Sequence, residues 1–143
     1  MNPRTSRKIR GFTLIEILVV VVIIGILGAL IVPNVVGRGD QARLTAARND
    51  LRAVANALDM YKLDNFQYPS TDQGLEALVT MPSGFPEPKN YNPDGYLGKA
   101  PVDPWGQPLV YLSEGNRFEL YSLGADGAEG GEGYAADLRY EDL

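Results

Sequence analysis

An α+β fold is predicted for the 143 residues: a long N-terminal α-helix packed on a small antiparallel β-sheet, completed by a proline-rich loop and a glycine-rich, acidic C-terminal loop. Three observations predict it. Residues 17–32 are unbroken apolar sequence, residues 41–63 repeat their apolar positions every three or four residues, and two short β-prone runs flank a turn near residue 115.

The first half of the helix reads as a bilayer segment. Residues 17–32 with their flanks reach the length of a membrane-spanning helix. Between Gly11 and Gly37 the one ionisable side chain is Glu16. A charge inside a bilayer costs roughly 2.5–3.5 kcal/mol on insertion scales, so an intramembrane acid is by default a functional residue with a partner. Glu16 therefore needs a cation. Arg4, Arg7, Lys8 and Arg10 precede the run with no acid among them, which keeps the N-terminus cytoplasmic and exports the rest. A secretory signal peptide shows the same basic-then-apolar order. Against that alternative, no Ala-x-Ala follows Val32, and the amphipathic pattern begins without a break after Pro33.

In the second half, Leu44, Ala47, Leu51, Val54, Ala55, Leu58 and Tyr61 form a stripe at helical spacing, with Arg43, Arg48, Asp50, Arg52, Asp59 and Lys62 filling the other face. That stripe is expected to pack on the chain's own domain. Asp40 is a candidate N-cap and Pro69 a stop, so the helical region runs from about residue 12 to about residue 65. Pro33 removes a backbone donor, and Gly37 and Gly39 weaken the helix further, which predicts a kink or unwound stretch there.

Beyond the helix, Ser70-Thr71-Asp72 ahead of Gly74-Leu75-Glu76-Ala77-Leu78 predicts a short capped helix, with Glu76 closing back on Asp72 or its neighbours. Residues 82–108 carry seven prolines and read as a long loop. Leu109-Val110-Tyr111-Leu112 and Phe118-Glu119-Leu120-Tyr121, joined through Ser113-Glu114-Gly115-Asn116, predict a hairpin. Trp105 and the nearby tyrosines are assigned to packing.

Composition narrows the function. Of the 13 basic residues four lie in the first eleven positions, leaving nine against 18 acids in the body of the chain. An acidic exported body argues against a nucleic-acid surface, which needs a basic stripe. Histidine and cysteine are absent, which removes the commonest general bases, thiol nucleophiles, zinc ligands and disulfide staples. No acid pair stands out as a hydrolytic site, and no catalytic residue is assigned. Residues 122–137 combine glycines with Asp126, Glu129, Glu132 and Asp137. Calcium takes six to eight hard oxygens from carboxylates and carbonyls, so a calcium loop and a plain acidic loop both fit; the lack of disulfides favours the metal.

The stretch Lys8-Ile9-Arg10-Gly11-Phe12-Thr13-Leu14-Ile15-Glu16 resembles the processing signature of type IV pilin-like proteins. Asp59-Met60-Tyr61-Lys62-Leu63-Asp64-Asn65, Tyr68-Pro69-Ser70-Thr71, Asp103-Pro104-Trp105-Gly106 and Tyr121-Ser122-Leu123-Gly124-Ala125-Asp126-Gly127 resemble the major pseudopilins of the type II secretion system, nearly from end to end. The resemblance implies a leader at 1–11, a transmembrane and filament-core helix at 12–36, and a periplasmic domain at 37–143. It implies cleavage after Gly11 by a prepilin peptidase, methylation of the Phe12 amine, and pairing of Glu16 with that amine on a neighbouring subunit. It implies calcium held by the Leu123 carbonyl, Asp126 and Asp137, with Glu132 or carbonyls as possible further ligands. The expected partners are other copies in a filament, minor pseudopilins, an inner-membrane platform, and lipid before assembly. The expected location is the inner membrane and then the periplasm. A type IV pilin for adhesion, motility or DNA uptake is the alternative, although many such pilins close with a disulfide that this chain cannot make.

Overall fold

The computed structural model describes residues 11–143, the side chains of residues 29–38 excepted. The basic leader residues Arg4, Arg7, Lys8 and Arg10 lie outside the described residues. The chain divides into two compact units, Met1–Arg38 and Gly39–Leu143.

Helix α1 (Leu14–Asn65) runs through Pro33, Gly37 and Gly39 without a gap. The unwound stretch expected there is absent, since a proline costs one hydrogen bond and crowds the preceding turn, which bends a helix without having to end it. Asp40, expected as an N-cap, instead lies inside the helix and faces Arg43 at 3.6 Å. In the first unit the large apolar side chains between residues 12 and 27 are all exposed, from 48 to 87%. Among the described residues no helix is long and apolar enough to cross a membrane. The expected span, 12–36, runs into positions whose side chains are not described.

The second unit is built on the other half of α1. Ala47, Leu51, Val54, Ala55, Leu58 and Tyr61 are buried, as the stripe predicts, and all but Ala47 pack with Leu78, Leu109, Tyr111 and Leu120 in one core. Each large aliphatic side chain so buried contributes roughly 1.5–3 kcal/mol. The helix ends on Asn65, whose amide donates to the Tyr61 carbonyl at 3.0 Å and whose Oδ1 accepts from Asn90 N–H at 3.0 Å. Phe66 then takes a left-handed conformation, φ 69°, and its N–H bonds the Lys62 carbonyl at 2.7 Å, closing the last turn.

The sheet has three antiparallel strands in the order β1 (Val110–Glu114), β2 (Arg117–Ser122), β3 (Leu138–Arg139). Glu114 pairs with Arg117 across the two-residue Gly115-Asn116 turn, which sets the register Tyr111 to Leu120. The third strand was not expected. Ahead of the sheet, residues 75–78 form one 3-10 turn without a side-chain cap. The capping exchange expected at Asp72 and Glu76 is made instead by Ser70 and Gln73: Ser70 N–H donates to Gln73 Oε1 at 3.0 Å and Gln73 N–H to Ser70 Oγ at 3.2 Å.

The proline-rich segment is anchored at a few points. Gln73 Nε2 donates to the Pro86 carbonyl at 2.9 Å, and the N–H groups of Tyr96 and Leu97 both reach the Leu78 carbonyl. Tyr61, Tyr91 and Tyr96 cluster with ring centroids 5.3–6.2 Å apart, so these tyrosines pack as the sequence indicates. Burial, reinforced by the neighbouring rings, pushes the Tyr61 phenol up to about 12 and keeps it neutral.

Candidate functional site

Two places carry the residues singled out by the sequence. The first is the entrance to α1. Thr13 stands just before the helix, and its Oγ1 accepts from Glu16 N–H at 3.3 Å while Glu16 Oε2 accepts from Thr13 N–H at 3.3 Å. This reciprocal exchange is a capping box, and it places a carboxylate at the positive end of the helix dipole. Its signature, Thr-x-x-Glu, stands in the sequence at the head of the apolar run. Phe12, one residue earlier, is 80% exposed. The entrance thus presents one carboxylate, held by its own chain, beside an uncovered aromatic and an uncovered apolar helix.

The second place is the C-terminal loop. Ala125 N–H bonds the Tyr134 carbonyl at 3.0 Å, and Asp137 N–H bonds the Gly130 carbonyl at 3.1 Å, which folds the loop back on itself. Gly124, at φ 69°, comes so near residues 135 and 136 that a Cβ there would lie 2.7 Å from the Ala136 carbonyl oxygen. Gly131 approaches the Ala135 carbonyl still more closely. Only glycine fits both positions. The fold-back draws together the chain next to Asp126 and next to Asp137, which lie eleven positions apart in sequence.

The carboxylates are partly engaged. Asp126 Oδ1 accepts from Ala128 N–H at 3.1 Å and Asp137 Oδ2 from Gly130 N–H at 3.1 Å. Asp137 Oδ1 is buried without a hydrogen-bond partner. An acceptor in that condition costs its full desolvation unless a cation or water meets it. Glu129 and Glu132 are exposed. Among the described residues no three acids gather as a metal cluster, so a cation here would draw several oxygens from the backbone. The orphaned carboxylate oxygen is of the hard-oxygen type that calcium takes.

A helix with an uncovered apolar entrance, joined to a head of three antiparallel strands, defines a pilin-like subunit, and residues 6–32 match the prokaryotic N-terminal methylation motif. Residues 34–141 match the family model of type II secretion system protein G, and the chain belongs to that family. It is 65% identical over 134 residues to the type II secretion system core protein G of Pseudomonas aeruginosa, covering 92% of this chain and 94% of that one. To the core protein G of Vibrio cholerae serotype O1 it is 55% identical over 137 residues, covering 94% and 93%. The crystal structure of the major pseudopilin from the type 2 secretion system of enterohaemorrhagic Escherichia coli superposes with a TM-score of 0.67 at 42% identity, covering 78% of this chain and 96% of that one. The alternative expectation, a pilin for adhesion, motility or DNA uptake, is not favoured by these matches.

Proposed function

We propose that this chain is a structural subunit of the type II secretion pseudopilus, a periplasmic helical filament that helps drive folded proteins through the outer-membrane secretin. The observation that carries this reading is the uncovered apolar stretch of residues 12–27, which includes the start of α1, with one carboxylate at its entrance. The Gly39–Leu143 unit has a core of its own, and in this reading residues 12–27 are covered by lipid or by other copies. Bilayer and filament core are both apolar, and the helix passes from one to the other without meeting water.

In this reading a prepilin peptidase cuts after Gly11 and methylates the Phe12 amine. The chain is held in the inner membrane by residues 12–36, with Pro33 near the end of that span and the remainder periplasmic. During assembly the Phe12 amine of a neighbouring subunit approaches Glu16. A carboxylate already held in its rotamer by Thr13 has less freedom to lose on meeting that cation, and two groups costly to bury alone neutralise each other. Minor pseudopilins and the inner-membrane platform act on the same subunit. Its role is structural, and no residue is assigned a catalytic step. Calcium fits the C-terminal loop, held by Asp126, Asp137 and the Leu123 carbonyl; bound there it supplies a charge that ties the two limbs of the loop where a disulfide is lacking.

Deleting the gene in its native host tests the reading. The expected result is that proteins exported by the cognate secretion system accumulate in the periplasm and that a plasmid copy restores their release. Intact secretion together with loss of surface pili would overturn it.

A further inference from the structure

The geometry points to Asp103 and Ser122 as positioning residues for the Leu123–Gly124 peptide of the C-terminal loop, a role that rests on the calcium reading above. Asp103 is 3% exposed and Ser122 is fully buried. A carboxylate so placed is unusual unless its acceptors are engaged. Here they are: Oδ1 accepts from the N–H groups of Trp105 at 3.0 Å and Gln107 at 2.8 Å, and Oδ2 accepts from Ser122 Oγ at 2.7 Å. With its proton committed to Asp103, the Ser122 hydroxyl has a lone pair left, and it accepts from Gly124 N–H at 3.2 Å.

That last bond matters for the loop because the Gly124 N–H and the Leu123 carbonyl belong to one peptide unit. In a planar trans peptide the two point in opposite directions. Fixing the N–H on Ser122 therefore turns the Leu123 carbonyl oxygen away from the buried serine. The aim of that carbonyl is thus set by a chain of bonds that begins in the Asp103-Pro104-Trp105-Gly106 turn, about twenty residues upstream. The same turn meets the loop a second time, where the Gln107 side chain lies 3.3 Å from where a Cβ on Gly127 would stand. The turn so acts as a rigid seat for the loop, and the carboxylate holds its shape through the serine without touching the cation.

Calorimetric titration of the full chain in detergent with calcium chloride tests this. Ser122→Ala leaves Asp126 and Asp137 in place and is expected to raise the calcium Kd about 10–100-fold, the usual cost of losing an outer-shell orienting bond. Tyr111→Phe, which removes a 2.8 Å bond from the tyrosine hydroxyl to the Pro69 carbonyl, is expected to lower the calcium-free melting midpoint without moving the Kd. An unchanged Kd in Ser122→Ala, with the wild type binding, overturns the positioning role and leaves the calcium reading standing; an equal rise in Tyr111→Phe overturns it as a general stability effect. A wild type that binds no calcium removes both readings. Should Ser122→Ala not fold, hydrogen exchange of the Gly124 amide in the calcium-free wild type decides: protection supports the preset peptide, and exchange at an unprotected rate overturns it.

Discussion

Glu16→Ala is expected to accumulate in the membrane and to be processed, yet to export no more substrate than a strain lacking the gene. Removing a carboxylate from an apolar span makes the bilayer state more favourable by roughly 2.5–3.5 kcal/mol, about a hundredfold, while in the proposed filament the Phe12 amine would lose its partner. Both changes hold the subunit in the membrane. Glu16→Gln separates two roles of the side chain. Glutamine closes a capping box with Thr13 nearly as well as glutamate does, but it offers no charge to a neighbouring amine. Export at the deletion level in both variants identifies the charge as the assembly determinant. Export restored in Glu16→Gln would assign the function to the cap, and normal export in Glu16→Ala would end the proposed role of the residue.

The second large effect concerns the C-terminal loop. Calcium at about a hundred times its Kd stabilises a native state by about 2.7 kcal/mol, which for a domain of roughly 100 residues raises the melting midpoint by about 10–15 °C. Asp126→Ala is expected to melt where the calcium-free wild type melts, with or without calcium. Removing one of two carboxylates leaves a site of backbone carbonyls and a single charge, and calcium affinity follows ligand charge. Differential scanning calorimetry of the full chain in calcium and in chelator reads this directly. No calcium-dependent shift in the wild type would discard the site. A shift that persists in Asp126→Ala would place the ion elsewhere.

Where sequence reasoning succeeded, the signal was periodic. The buried face of α1 from Ala47 to Tyr61 follows from spacing alone, since a helical stripe must face its core, and the β1–β2 hairpin follows from two apolar runs around Gly115-Asn116. Where it fell short, the deciding interaction was local choice or distant contact. Ser70 and Gln73 carry a capping exchange as good as the one expected at Asp72 and Glu76, and sequence does not rank two adjacent caps. Strand β3 is two residues long, too short to show any alternation, and exists because β2 offers it an edge. Helix α1 passes Pro33 because backbone hydrogen bonds on either side carry the turn that proline weakens. In the loop, the glycines and acids were legible, but the burial of Asp137 Oδ1 was not. Nor was the link from Asp103 through Ser122 to Gly124, because a carboxylate in a proline-rich segment reads as solvent-exposed until the chain is folded.

The most direct test of the whole account is the intact mass and N-terminal residue of the chain recovered from its native membrane, with the prepilin peptidase present and then deleted. A mature chain that begins at methylated Phe12 is expected when the peptidase is present and a full-length chain when it is absent. A chain cut beyond residue 30, or the same uncut chain in both strains, would contradict it.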